Sequence, residues 1–205
     1  VSVPFVSLDD LSAYLKTTLE ASDLLAVAAL DTACQAIRTY TNQELNLVRH
    51  DVVTVDGTWR RDLLLPQLPV LEVHAVNVTY ADETVILDVD DLYLTPAGRL
   101  FILATPWYWR PGFGNVEVEY SHGWGVTEEE LEESGEPTAE RMPSDLRMVA
   151  LRIAANLYNS PATTSIRQET LGSYSYTVGD DMVGMVEPAL KLILDRYTIR
   201  KVPVA

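Results

Sequence analysis

Apolar residues at Leu8, Leu11, Leu15 and Leu19 recur at three- and four-residue spacing, the period of one helix face. Ser7 and Asp10 supply the hydroxyl and carboxylate of a capping box just ahead of that stripe, so a first helix is predicted there. Ser22 and Asp23 restart the signal. From Leu24 the chain is rich in Ala and Leu, with Leu30, Cys34 and Ile37 in one row and Val27 and Ala28 in a second. Ala26, Ala29, Ala33 and Ala36 keep the remaining faces thin, which suits a helix approached closely from several sides, central in a bundle or at a subunit contact.

Near Tyr40 the period shifts from 3.6 to 2. Leu47 to Val55 alternates like a strand, Asp56-Gly57 is a hairpin-turn signal, and Trp59 to Leu65 follows as its partner. Val70 to Tyr80 is rich in β-branched residues, and short strands are predicted on either side of Pro96-Ala97-Gly98. Over Asn115 to Tyr120, Val116, Val118 and Tyr120 point one way and Glu117 and Glu119 the other. A third helix opens at Pro143 or Ser144, with Leu146, Ala150, Ile153 and Leu157 on one face, and stops before Pro161. Thr163 to Gly184 reads as irregular or β. A fourth helix begins near Glu187-Pro188 and turns Leu190, Ile193, Leu194 and Tyr197 inward. The predicted fold class is α+β: a small helix bundle of two N-terminal and two C-terminal helices with an inserted antiparallel β block. The expected organisation is a helical bundle domain over 1–46 and 143–205 with a C-terminal tail, an inserted strand region over 47–127, and an acidic linker over 128–142.

Charge alters the range of functions. The 205 residues carry 15 Lys and Arg against 30 Asp and Glu, a formal −15, so the field opposes adhesion to nucleic acid phosphate or anionic lipid. Residues 128–145 alone hold eight acidic side chains against Arg141, whereas Lys191, Arg196, Arg200 and Lys201 make the C-terminal end basic. No apolar run approaches the ~20 residues of a membrane span, and no basic secretory start is present, so a soluble, unexported chain is expected. The single cysteine, Cys34, excludes an intramolecular disulfide and fits a reducing compartment.

Catalytic signals are sparse. The sequence has no G-x-S-x-G elbow, phosphate loop, G-x-G-x-x-G or H-E-x-x-H motif. His50, His74 and His122 are isolated and fall in or beside predicted strands, which favours sheet-surface or partly buried histidines over a metal site. Asp88, Asp90 and Asp91 begin like a calcium loop but lack its glycine and distal glutamate, so a solvated turn is expected. Cys34 sits in an apolar helix without a basic neighbour and reads as a core residue. Trp107, Tyr108, Trp109, Phe113 and Trp124 are either loop anchors capping the sheet or a sugar- or protein-binding platform. The chain is therefore expected not to be an enzyme, with no cofactor and no metal.

Several segments, in this order, carry a resemblance: LDDLSAYL at Leu8 to Leu15, ACQAIRTYTNQ at Ala33 to Gln43, LLLPQLPVLEV at Leu63 to Val73, VEVEYSHGWG at Val116 to Gly125, PSDLRMVALRIAANLY at Pro143 to Tyr158, ETLGSYSYT at Glu169 to Thr177, and LDRY at Leu194 to Tyr197. Taken together they resemble the head-to-tail connector adaptors of long-tailed bacteriophages. The long strand block over 47–120 departs from that family's mainly helical build.

The resemblance implies a non-catalytic protein of the virion neck, assembled in the bacterial host cytoplasm. It implies a ring of about twelve identical subunits held by heterologous contacts. The implied partners are the portal protein, neighbouring adaptor subunits, and the next neck or tail protein; DNA passes through without specific binding, and no membrane is involved. Tyr174, Tyr176, Arg196, Arg200 and Lys201 are the candidate intersubunit or portal contacts. Glu128, Glu129, Glu130, Glu132, Glu133 and Glu136 are candidates for a DNA-repelling wall. The alternatives are another neck or tail completion ring protein and, from a different class, a carbohydrate-binding module using the Trp107 to Trp124 region.

Overall fold

A computed structural model describes residues 4–80, 83–103, 108–126, 140–159, 168–171, 174–177 and 187–199. The chain divides into two compact units, Val1–Gln43 with Met142–Ala205, and Glu44–Arg141. The architecture is α+β, with helices in the first unit and antiparallel sheets in the second.

Helix α1 (Leu8–Leu15) opens on the capping box: the Ser7 hydroxyl accepts the Asp10 N–H and the Asp10 carboxylate accepts the Ser7 N–H, each at 3.0 Å. It ends where Lys16 turns left-handed (φ 56°), so Leu19 lies beyond the helix that its stripe predicted. Helix α2 (Leu24–Thr41) is capped by the Asp23 carboxylate, which accepts the Leu25 and Ala26 N–H groups at 3.1 Å. Leu30, Cys34 and Ile37 are buried, and so are Ala26, Ala29, Ala33 and Ala36. The small side chains thus face inward and let α2 pack closely on α3 (Ser144–Asn159). Val27 and Ala28, the expected second row, are exposed instead, together with Leu24 and Leu25. On α3, Leu146, Ala150 and Ile153 are buried, joined by Val149 and Ala154. The short α4 (Pro188–Leu194) buries Leu190 and Leu194 against α2 and α3.

In the second unit, β1 (Val48–Gly57), β3 (Val70–Tyr80), β4 (Glu83–Leu87) and β7 (Gly112–His122) form a four-stranded antiparallel sheet in the order β1-β7-β3-β4. A smaller sheet takes β2 (Asp62–Leu64), β5 (Leu92–Leu94) and β6 (Arg99–Ile102) in the order β2-β6-β5. Val73, Val76, Val116, Val118 and Tyr120 of the larger sheet share one core with Leu63, Leu65, Leu100 and Trp109. Burying a large aliphatic or aromatic side chain of this kind stabilises by about 1.5–3 kcal/mol, which makes this cluster the unit's main support.

Two expectations for this unit change. Asp56-Gly57 is not a hairpin turn: β1 pairs with β7 as far as Gly57↔Gly112, while β2 joins the other sheet. The pair clamps β7 instead, because the Gly57 N–H donates to the Asn115 side chain at 2.8 Å and the Asp56 carboxylate accepts the Gly114 N–H at 2.6 Å. A Cβ on Gly57 would stand 1.7 Å from the Arg110 carbonyl oxygen, so the glycine serves close approach rather than a turn. Strand β4, which sequence periodicity did not single out, lies at the sheet edge with Val85 and Ile86 exposed. Within the stretch expected to be irregular or β, β8 (Gln168–Leu171) and β9 (Tyr174–Thr177) pair antiparallel.

Candidate functional site

The charge is distributed unequally between the two units. Glu44–Arg141 holds nineteen acidic and six basic residues, a net −13, whereas the remaining segments hold eleven and nine, a net −2. The acidity of the chain is therefore a property of the β unit, well beyond the single 128–145 run. Glu128, Glu129, Glu130, Glu132, Glu133 and Glu136 themselves lie outside the described residues.

The expected contact residues are placed in part. Tyr174 and Tyr176 lie on β9, opposite Leu171 and Glu169. Arg196 stands just after α4, exposed, with its guanidinium 3.7 Å from the Asp145 carboxylate. Beside it, the Tyr197 hydroxyl donates to Asp145 at 2.7 Å; burial and that carboxylate push the phenol up to about 12. Arg200 and Lys201 lie outside the described residues.

Among the described residues the aromatic side chains do not form one platform. The Trp109 indole is 1% exposed and donates its ring N–H to the carbonyls of Arg61 and Leu100 at 3.1 and 3.2 Å. Phe113 is 98% exposed, Tyr108 packs against Trp59 with ring centroids 4.7 Å apart, and Trp124 is half-buried; Trp107 lies outside the described residues. Trp109 is thus a core anchor, with its polar edge satisfied by backbone. Beside it is a pocket of about 190 Å³ whose lining includes Val78, Val85, Leu87 and Ile102, with the Arg110 guanidinium 3.9 Å from the Tyr80 ring centroid. That volume is below the roughly 300 Å³ at which pockets for drug-sized ligands begin.

The histidines converge, a feature no motif announced. In β1, Val48↔His122 is followed by Asp51↔Tyr120, so β1 carries one extra residue around Arg49 and His50. In β3, Val73↔Tyr120 is followed by Ala75↔Glu119, which makes His74 the extra residue of a second bulge. The two bulges flank the same stretch of β7. They bring the His50 and His74 rings into a stack with centroids 4.1 Å apart, and His50 takes a left-handed backbone (φ 51°) to reach it. His74 Nε2 lies 2.7 Å from the Ser121 hydroxyl, and His50 Nδ1 lies 2.7 Å from the Glu119 carboxylate. His122 is 1% exposed and meets Asp51 through Nε2 at 3.1 Å, while its Nδ1 has no hydrogen-bond partner among the described residues. Burial holds the His122 imidazole below its ordinary pKa, against the opposing pull of Asp51 and Glu44.

A serine hydroxyl at 2.7 Å from an imidazole has the geometry of a nucleophile and base. Ser121, however, is fully covered, and an attacking oxygen needs open space in front of it. Among the described residues no group of three His, Cys, Asp or Glu side chains is arranged to hold a metal ion. Asp88 caps the turn over Val89–Asp91 by accepting the Asp90 N–H at 3.1 Å, as expected of a solvated turn. Cys34 is buried in α2, and burial pushes its thiol up to about 11. Among the described residues no helix is long and apolar enough to cross a membrane.

No protein-family model matches the sequence, and no curated protein matches it either. Solved structures do match. The fold resembles that of a gene transfer agent particle chain. A chain of the virion of the native gene transfer agent (GTA) particle aligns over 100% of this chain and 96% of its own length, with a TM-score of 0.61 and 20% identity. Chains in the neck of the empty GTA particle, computed with C6 symmetry, and in the neck of the native particle, computed with C12 symmetry, align over the same shares at 19% identity, with TM-scores of 0.56 and 0.53. The likeness extends across both units, strand block included.

Proposed function

We propose that this chain is a structural, non-catalytic neck protein of a phage-like particle, a head-to-tail adaptor that forms a ring below the portal and lets DNA pass from head to tail. The observation that carries this reading is the full-length fold likeness to chains of the GTA particle neck. The segment order that resembles phage connector adaptors supports it independently of the fold. A ring of identical subunits requires one surface of each copy to meet a different surface of the next, with a rotation that closes. In the proposed ring, the β9 segment with Tyr174 and Tyr176 and the basic end at Arg196, Arg200 and Lys201 make the intersubunit or portal contacts.

The charge distribution fits a conduit. About twelve copies of the chain bring roughly −180 of formal charge around an axis, and the β units carry most of it. Such a wall repels phosphate within the ~10 Å that counterions leave unscreened, and it offers duplex DNA nothing to grip. The Glu128 to Glu136 run is the proposed centre of that wall.

The test is to mix the purified protein with the portal of the same particle and examine the mixture by electron microscopy. Rings seated on the portal are the expected result; a protein that neither assembles nor docks, at any ratio, overturns the reading. Replacing Glu128, Glu129, Glu130, Glu132, Glu133 and Glu136 by Gln should leave docking intact and strengthen retention of DNA by the rings. Unchanged retention removes the acidic run from the proposed wall.

A further inference from the structure

The stacked histidines have no part in the neck reading, yet two separate backbone irregularities are needed to assemble them. A bulge in β1 and a bulge in β3, on opposite sides of β7, deliver His50 and His74 to the same buried hydroxyl. His50 adopts a left-handed conformation unusual for a residue other than glycine, and its backbone N–H also points to Ser121 Oγ, at 3.4 Å. Bulges of this kind re-aim side chains and recur at functional places in sheets.

We propose that the His50–His74 stack over Ser121 is a proton-operated latch on the bulged end of the four-stranded sheet, closed when at most one ring is charged and open when both are. With one proton, His50 Nδ1–H donates to the Glu119 carboxylate and the neutral His74 ring stays stacked on it, joined to Ser121. A second proton places two cations about 4 Å apart, which the stack does not tolerate. The rings then separate, His74 leaves Ser121, and the backbone of both bulges is released.

The charged groups along the three strands are Arg49, Asp51 and Asp56 on β1, Glu72 on β3, and Glu117 and Glu119 on β7; Glu44 acts on His122 from the segment entering β1. Glu117 is engaged by Asn77 at 2.9 Å, and Asp51 by His122. Six carboxylates against one guanidinium surround the strands, and Glu119 is the one that meets the stack directly, through His50.

Hydrogen exchange on the full chain tests the latch, comparing about pH 7 with about pH 5.5, either side of the ordinary histidine pKa, after correction for intrinsic exchange. The expected result is exchange about tenfold faster at the lower pH in residues 48–51, 72–75 and 119–123, with Val76 and Val118 still protected. His50→Gln and His74→Gln should each flatten that response, since the amide keeps a hydrogen-bonding side chain that does not titrate. Equal protection at both pH values overturns the latch. So does a response that survives in both Gln variants and disappears in His122→Asn, which assigns it to the buried His122. Should a Gln variant fail to fold, the ring proton resonances of the unaltered protein decide: coupled two-step titration of His50 and His74 is expected, and two independent single-step curves overturn the proposal.

Discussion

The Arg147 guanidinium closes on the Asp10 carboxylate with both oxygens at 2.9 Å, joining α3 to the first turn of α1 across 137 positions of sequence. Asp10 also completes the Ser7 capping box, so a single side chain starts the first helix and fastens it. Burial pushes its carboxyl up, but hydrogen bonds from the Ser7 N–H and from Arg147 outweigh that and leave it below the usual 3.8. A carboxylate depressed in the folded state contributes stability above its unfolded pKa and loses it as pH falls through the folded one. Asp10→Ala should therefore cost about 1–2 kcal/mol near neutral pH, from the lost cap and ion pair. The gap between variant and parent in urea midpoint should narrow from about pH 5 to about pH 3, as protonation removes the same interactions from the parent. A constant gap would assign the loss to packing.

Trp109 and Phe113 make opposite predictions although they stand four residues apart. Trp109→Ala empties a core site and strands two carbonyls, and should cost about 3–5 kcal/mol, read as a fall in the thermal midpoint of the β unit. Phe113→Ala removes an exposed ring and should leave stability within about 0.5 kcal/mol. The sugar-platform reading predicts glycan retention that Phe113→Ala abolishes at unchanged stability, and the buried Trp109 indole takes no part in such a surface.

Much of the fold was legible because its signals are local. The Ser7 and Asp10 spacing gave the first cap, and the alternation of Val116, Val118 and Tyr120 gave the buried face of β7. Asp56-Gly57 misled because a turn dipeptide and a close-approach glycine look alike until the strand that approaches is known. The histidine stack needed partners from β1, β3 and β7, whose pairing is non-local. Even so, one trace of it is in the sequence. The inward valines of β3 step by two from Val76 to Val78 but by three from Val73 to Val76, and the odd step falls at His74.

Gly123 links the end of β7 to the segment that leads into β1. Its φ is +92°, its N–H donates to the Pro69 carbonyl at 2.9 Å, and a Cβ there would stand 2.0 Å from the Asn46 carbonyl oxygen. Gly123→Ala should thus cost about 2 kcal/mol or more, combining backbone strain with a clash against main chain that cannot swing aside. Gly114, at φ +54°, is the internal control. Its nearest neighbour would be the Thr54 methyl at 3.2 Å, so Gly114→Ala should cost about 1 kcal/mol. Denaturant midpoints that rank the two in the reverse order would contradict the close approach at Asn46.

Cys34 offers a direct reading of whether the helical unit stays closed. Its thiol is buried beside the Phe5–Val6 backbone and raised by burial to about 11 from 9.0, the Phe5 N–H and Arg38 opposing that only in part. Two pKa units alone cut the thiolate fraction about a hundredfold near pH 8, before any steric exclusion. A thiol reagent should therefore label the folded chain at least about a hundredfold more slowly than the chain in denaturant. Because α1 and the segment before it lie over this part of α2, Asp10→Ala should raise the native labelling rate while leaving the unfolded rate unchanged. A labelling rate equal in parent and variant would show that the Arg147–Asp10 contact does not control opening at Cys34.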